Sequence, residues 1–342
     1  FEGRHMKYGA SVSLAQPLYT GGRIREGVKK AEAESRLALN QSEMIKSDIS
    51  YEADLRYWST VARNEMVKVT RRFTGAVEEL TKVIRERVEV QLVDRNDLLM
   101  AEVKLNDARY QLMQAENNYE VARMSLNSFI GVDYDLVIPI DTLVSPIHEV
   151  GGLPAYMDQA GNNRPELRMA QDKISIQESA HKLNQSQFLP QFYVGVDGSY
   201  SSPGYNFKAD LDPNYAVYAK VSIPLFEWGK RRNEKRAGEY RVAIARENFS
   251  KVKDVVSLEV QSAYYNYVQA VERVTLTENS LIKAQENEAM ALERYREGKM
   301  SVDGVLDAQM FHQTAQMNFV QSRLTAQISY SAFVRALGLL SI

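Results

Sequence analysis

The chain has 342 residues, 44% hydrophobic and 25% charged, a balance near that of ordinary folded domains that excludes a disordered polymer. Its formal net charge of −2 argues against a nucleic-acid partner held by phosphate neutralisation, and the absence of cysteine excludes disulfide frameworks and thiolate metal sites. No run of about 18 apolar residues occurs, so no transmembrane helix is expected, whereas a transmembrane β-barrel, whose strands alternate, stays possible.

Taken in chain order, the first regular segment alternates. Tyr8, Ala10, Val12 and Leu14 share one face and Gly9, Ser11, Ser13 and Ala15 the other, the period of a strand. Beyond Gly21-Gly22, residues Ile24 to Val90 contain no proline, and Gly27 and Gly75 are their only glycines. Good helix formers dominate there. A helix of about 67 residues would be roughly 100 Å long, which no compact domain holds, so an extended coiled structure is implied. It should stop near Gln91-Leu92-Val93-Asp94, with Asp94 suited to cap a returning helix from Asn96 to Ile130 that Gly131 ends. From Asp133 to Asn163 the chain is irregular, with Pro139, Pro146, Gly151, Gly152, Pro154 and Gly161; it reads as a short strand, a loop and a small helix. Pro165 suits a first helical turn, and a helix pattern runs from Glu166 to Phe188.

After Leu189-Pro190 the period returns to two. Phe192, Val194, Val196 and Tyr200 oppose Tyr193, Gly195, Asp197 and Ser199. A polar loop begins at Ser201-Ser202-Pro203-Gly204 and ends at Asp212-Pro213-Asn214. A second alternation sets Tyr215, Val217, Ala219, Val221, Ile223 and Leu225 against Ala216, Tyr218, Lys220 and Ser222. A second long helix follows, with a packing seam at Phe249, Val252, Val256, Val260, Ala263, Tyr267, Val271 and Val274. It should stop at Gly298-Lys299-Met300-Ser301, with a returning helix from Asp303 to Leu337 and a stop at Gly338.

The halves are a duplication. Pro17 and Pro224 lie 207 positions apart, and the same offset pairs Gly22 with Gly229, Glu86-Arg87 with Glu293-Arg294, Ala101 with Ala308 and Gly131 with Gly338. Chance matches do not hold one register over such a distance. The fold class is therefore mostly α with transmembrane β, built from two halves, each a strand followed by a long helical hairpin. Strand runs of about ten to twelve residues cross a bilayer when tilted, and their aromatics sit toward the ends. An ordinary soluble hairpin is the plain alternative, but it needs a cover for its apolar face that such elongated helices cannot give. Three strands cannot close a barrel, and an open edge does not survive in lipid, so the barrel must be shared between chains. The helix Glu166–Phe188 and the strand Gln191–Tyr200 have no counterpart in the first half; the duplication places one ahead of Phe1.

Gln16-Pro17-Leu18-Tyr19-Thr20-Gly21-Gly22-Arg23 and Ile223-Pro224-Leu225-Phe226-Glu227-Trp228-Gly229-Lys230 resemble the strand-to-helix junctions of the TolC-like outer-membrane efflux protein family. Arg294-Tyr295-Arg296-Glu297-Gly298 with Ser301-Val302-Asp303-Gly304-Val305-Leu306-Asp307-Ala308 resembles that family's periplasmic tip, and Asn163-Arg164-Pro165-Glu166-Leu167 its second-half helix start. The resemblance implies a homotrimer with a 12-stranded β-barrel continuous with a periplasmic α-helical barrel. It implies localisation in the outer membrane of a Gram-negative bacterium, with a large periplasmic part. The function implied is the exit duct of a tripartite efflux or secretion system, fed by an inner-membrane transporter of RND or ABC type through a periplasmic adaptor. On that plan residues 1–20 are a barrel strand, 21–131 the first periplasmic hairpin and 132–163 an equatorial mixed segment. Residues 164–189 are an upper tunnel helix, 190–226 the barrel strands and their loop, 227–338 the second periplasmic hairpin and 339–342 the C-terminal end. The rival reading is a soluble coiled-coil scaffold with a small β cap, which would cover its strand faces.

Asp303 and Asp307 are four apart and share a helix face, and Asp97 lies at the corresponding tip of the first half, so carboxylate rings at a narrow entrance are expected in a trimer. By the resemblance, Asp307 and Asp97 match the family's pore-side tip acids, Asp303 is their neighbour, and Tyr295 is placed to bond or pack across the tip. The turns Val90, Gln91, Leu92, Val93, Asp94 and Gly298, Lys299, Met300, Ser301 are the adaptor-contact surface that the resemblance implies. Basic clusters follow each strand, Arg23, Arg25, Lys29 and Lys30, then Lys230, Arg231, Arg232, Lys235 and Arg236; lipid phosphates or ordinary salt bridges would account for them. The four histidines, His5, His148, His181 and His312, have no metal spacing, and no nucleophile elbow or P-loop occurs, so neither an enzyme nor a cofactor is expected.

Overall fold

The computed structural model describes residues 8–139, 151–202 and 210–340. Its elements run β1 (Tyr8–Tyr19), α1 (Arg23–Glu89), α2 (Arg95–Ile130), α3 (Leu153–Asn163), α4 (Pro165–Ser186), β2 (Gln191–Ser202), β3 (Asp212–Ser222), α5 (Lys230–Arg296) and α6 (Val302–Ala336). Both long helices have 67 residues.

The duplication is written into the backbone. Left-handed residues pair at the same 207-residue offset: Gly21 with Trp228, Gly22 with Gly229, Gln91 with Gly298, and Gly131 with Gly338. Each hairpin therefore starts, turns and ends through the same local geometry, whichever side chain occupies it.

The chain divides into two compact units, Phe1–Ser42 with Pro165–Asp254, and Glu43–Arg164 with Val255–Ile342. The first holds an antiparallel sheet in the order β1-β2-β3. Its register aligns Leu14, Val196 and Val217 across the three strands, and Ser13, Asp197 and Ala216 beside them. One face is thus apolar and the other mostly polar. Gly195 leaves room for the Tyr218 ring, which a Cβ there would overlap as it now stands. In the same unit α4 clips to α1 through Asp172, which accepts from Arg36 Nε at 3.0 Å and Asn40 Nδ2 at 2.8 Å.

In the second unit, Thr60, Thr74 and Thr81 of α1 donate to the carbonyls of Ala122, Ala108 and Ala101 on α2, at 3.2, 3.1 and 3.5 Å. Small, hydrogen-bonding side chains let the two limbs approach closely. Of the expected second seam, Val256, Val260, Tyr267 and Val274 are buried. Helix α3 docks through Tyr156, whose ring meets Phe333 edge-on at 4.9 Å. Arg164 donates to the last carbonyls of α6, Arg335 and Ala336, and to Glu259 at 2.5 Å.

Two expectations change, and a third lies partly outside the described residues. Of the 133–163 segment read as holding a short strand, residues 140–150 lie outside the described residues; among residues 133–139 no strand forms, and Asn127 Nδ2 and Arg123 take the carbonyls of Asp133, Tyr134 and Leu136 that a ladder would use. Pro146 and His148 lie outside the described residues, as do His5, Pro203 and Gly204. Ser201, Ser202 and Asp212–Asn214 belong to strands rather than to the polar loop. Finally, β3 ends at Ser222, ahead of Ile223 and Leu225, because Ser222 pairs with Gln191, the first residue of β2, and among the described residues no partner strand extends beyond it.

Candidate functional site

The two hairpin tips meet in one hydrophobic core. Val77, Leu80 and Ile84 of α1, Ala101 and Leu105 of α2, Tyr295 of α5, and Val302, Val305 and Leu306 of α6 are all buried there. Val88, Val93, Leu98, Leu292 and Met300 pack around them. Each turn is closed by the same pair of hydrogen bonds. Gln91 N donates to Val88 O at 3.0 Å and Leu92 N to Arg87 O at 2.9 Å; Gly298 N donates to Tyr295 O at 3.0 Å and Lys299 N to Arg294 O at 2.8 Å. This is a Schellman closure, with the left-handed residue at Gln91 or Gly298. The returning helices are capped as expected. Asp94 accepts from Asn96 N at 2.8 Å, and Ser301 from Gly304 N at 3.4 Å.

Of the tip residues, Val90, Gln91, Leu92, Asp94, Gly298, Lys299 and Ser301 are exposed. Val93 and Met300 instead turn into the core. Asp303 and Asp307 lie exposed on one face of α6, and Asp97 is half-buried. Tyr295 is buried, and among the described residues its hydroxyl meets no partner at hydrogen-bond geometry. The Arg87 guanidinium lies over its ring, 4.8 Å from the centroid. Burial pushes the Tyr295 pKa above the ordinary tyrosine value; Arg87 opposes the shift and the Asp97 carboxylate adds to it. Asp97, Tyr295 and Arg87 are therefore electrostatic neighbours. Sequence reasoning missed Arg87, whose only signal was its place in the Glu86-Arg87 and Glu293-Arg294 pair. Among the described residues, no group of acids and histidines is arranged to hold a metal.

The sheet carries a second candidate surface. Val12 is 77% exposed, Leu14 71% and Val217 82%, all on the apolar face. The opposite face bears the Ser13–Asp197 contact and Lys220. No described helix is long and apolar enough to cross a membrane.

The family model described as outer membrane efflux protein matches residues 1–132 and 156–339. The chain belongs to that family. This efflux protein is an outer-membrane exit duct with a large periplasmic part. It is 19% identical over 315 residues to toxin and drug export protein A of Aggregatibacter actinomycetemcomitans, covering 92% of this chain and 68% of the relative. It is 21% identical over 336 residues to outer membrane efflux protein BepC of Brucella suis, covering 96% and 71%. Its fold is that of the outer-membrane channel OprN, with a TM-score of 0.79 at 16% identity over 97% of this chain and 81% of that one. The Vibrio cholerae outer membrane protein VceC matches with a TM-score of 0.79 at 16% identity, over 97% and 87%.

Proposed function

We propose that the efflux protein works as a homotrimer that conducts substrates passively, without catalysis, from an inner-membrane transporter of RND or ABC type and a periplasmic adaptor. The observation that carries this reading is the sheet, apolar and exposed on one face and polar on the other. A soluble scaffold would leave such a face covered. On this reading residues 1–20 and 190–226 contribute to the barrel, and 21–131 and 227–338 are the periplasmic hairpins. Asp97 and Asp307, with Asp303 beside them, supply carboxylate rings at the entrance that favour cations. The exposed turn residues Val90, Gln91, Leu92, Asp94, Gly298, Lys299 and Ser301 meet the adaptor, while Val93 and Met300 hold the turns in shape.

The test is the detergent-free protein mass of the extracted protein, followed by conductance across a planar bilayer. A trimer with cation-selective conductance is expected, and the Asp97→Asn, Asp307→Asn double variant should lose most of that selectivity. A monomer that stays soluble without detergent would overturn the reading. Unchanged selectivity would remove the aspartates from it.

A further inference from the structure

The two strand-to-helix junctions of the duplicated halves differ in their surroundings. At the first, Thr20 is buried, and a Cβ on Gly21 would lie 2.7 Å from the Ser186 carbonyl oxygen and 2.8 Å from Leu189 Cβ. Protein covers Thr20 and Gly21 there. At the second, Leu225 is 91% exposed, and Trp228, which stands where the first junction has Gly21, is 90% exposed. The rings of Phe226 and Trp228 pack edge to face with centroids 5.0 Å apart, so the exposed pair is preset.

The charges differ in the same way. Helix α1 has Glu26 in its first turn, paired with Lys29 at 2.9 Å, and Lys30 pairs with Glu34 at 3.2 Å. Helix α5 has no acid in its first turn. Lys230, Arg231, Arg232, Lys235 and Arg236 are all exposed, and of these only Lys235 forms an ion pair among the described residues, with Glu239 at 3.8 Å. The nearby acids Glu227 and Glu234 are half-buried. Cations at a helix N-terminus oppose the macrodipole, so this grouping is unfavourable in water. It sits directly beyond the exposed apolar residues Val217, Val221 and Ile223.

We propose that the second junction, residues 225–236, docks on the anionic phospholipid headgroups of the leaflet facing the periplasm. Phe226 and Trp228 lie at the boundary between acyl chains and headgroups, where amphipathic rings are favoured. Lys230, Arg231, Arg232 and Arg236 meet the phosphates, which a negatively charged leaflet presents at high density. The inference rests on the reading that β1–β3 cross the outer membrane.

The sequence has two tryptophans, so Trp58→Phe leaves Trp228 as the single tryptophan, excited selectively at the red edge of the tyrosine absorption. This variant is placed in nanodiscs of phosphatidylcholine containing phosphatidylglycerol, with one lipid or the other brominated near the top of its acyl chains. Brominated phosphatidylglycerol should quench Trp228 with an apparent affinity about fivefold above that of brominated phosphatidylcholine, and salt should erase the difference. Changing Lys230, Arg231, Arg232 and Arg236 together to Gln should bring the ratio near unity. Equal quenching by both lipids in the unchanged cluster would overturn the site. A second protein, Trp58→Phe, Trp228→Phe, Val217→Trp, reports on the strands. If its tryptophan is quenched while Trp228 is not, the junction is covered by protein and the site fails alone. If neither is quenched, the membrane reading fails with it.

Discussion

Gln91 occupies a conformation that its repeat partner reaches with a glycine. Its φ is 59° against 72° at Gly298, and the same closing hydrogen bonds surround both. A side chain in this region costs roughly 1 kcal/mol relative to glycine. Gln91→Gly should therefore stabilise the tip by about 1 kcal/mol, and Gly298→Ala should destabilise it by a similar amount, as native-state hydrogen exchange of the flanking helix ends would show. Tyr295 gives a second prediction at this scale. Among the described residues its buried hydroxyl meets no partner at hydrogen-bond geometry, although the Arg87 guanidinium lies close by, so Tyr295→Phe should be neutral or stabilising by up to about 1 kcal/mol. Because the folded-state pKa is raised above 10.0, the neutral form's contribution is full below the unfolded value and is lost as pH rises through the folded one. The Phe variant should lose less tip stability on alkaline titration than the parent. An equal loss would place the titrating group elsewhere.

Between elements, the close approach of α4 and α5 depends on one missing methyl. A Cβ on Gly238 would overlap His181 Nδ1. Gly238→Ala should cost about 1 to 3 kcal/mol by overpacking, and His181→Ala in the same chain should recover most of it, a coupling that a double-mutant cycle in denaturant measures. Additive effects would mean that the helices simply shift apart. Contacts of this kind mark where the sequence stopped being legible. The duplication, the long helices and both caps could be read locally, because glycine, Asp94 and Ser301 punctuate long runs of helix formers. The strand faces were legible from alternation. What could not be read depends on side chains that meet outside any local period: Tyr218 over Gly195, Arg87 over Tyr295, and the capture of the Asp133, Tyr134 and Leu136 carbonyls by Asn127 and Arg123.

At the scale of the whole molecule, duplication alone would permit two independent hairpins, each with its own tip. The shared core argues otherwise, since residues of α1, α2, α5 and α6 enclose one another there. Ile84 is fully buried within it. Ile84→Ala should remove about 2 to 5 kcal/mol from that core, depending on how far the cavity collapses. The loss should reach both tips. Hydrogen exchange should accelerate around Val77–Leu105 and, although the substitution lies in the first repeat, around Tyr295–Leu306 as well. Protection in β1–β3, which belong to the other compact unit, should stay unchanged. Acceleration confined to the first repeat would show that the tips open separately. Joint acceleration means that a partner engaging either turn biases the other through the core, which gives a duct with two tips per chain a single opening equilibrium.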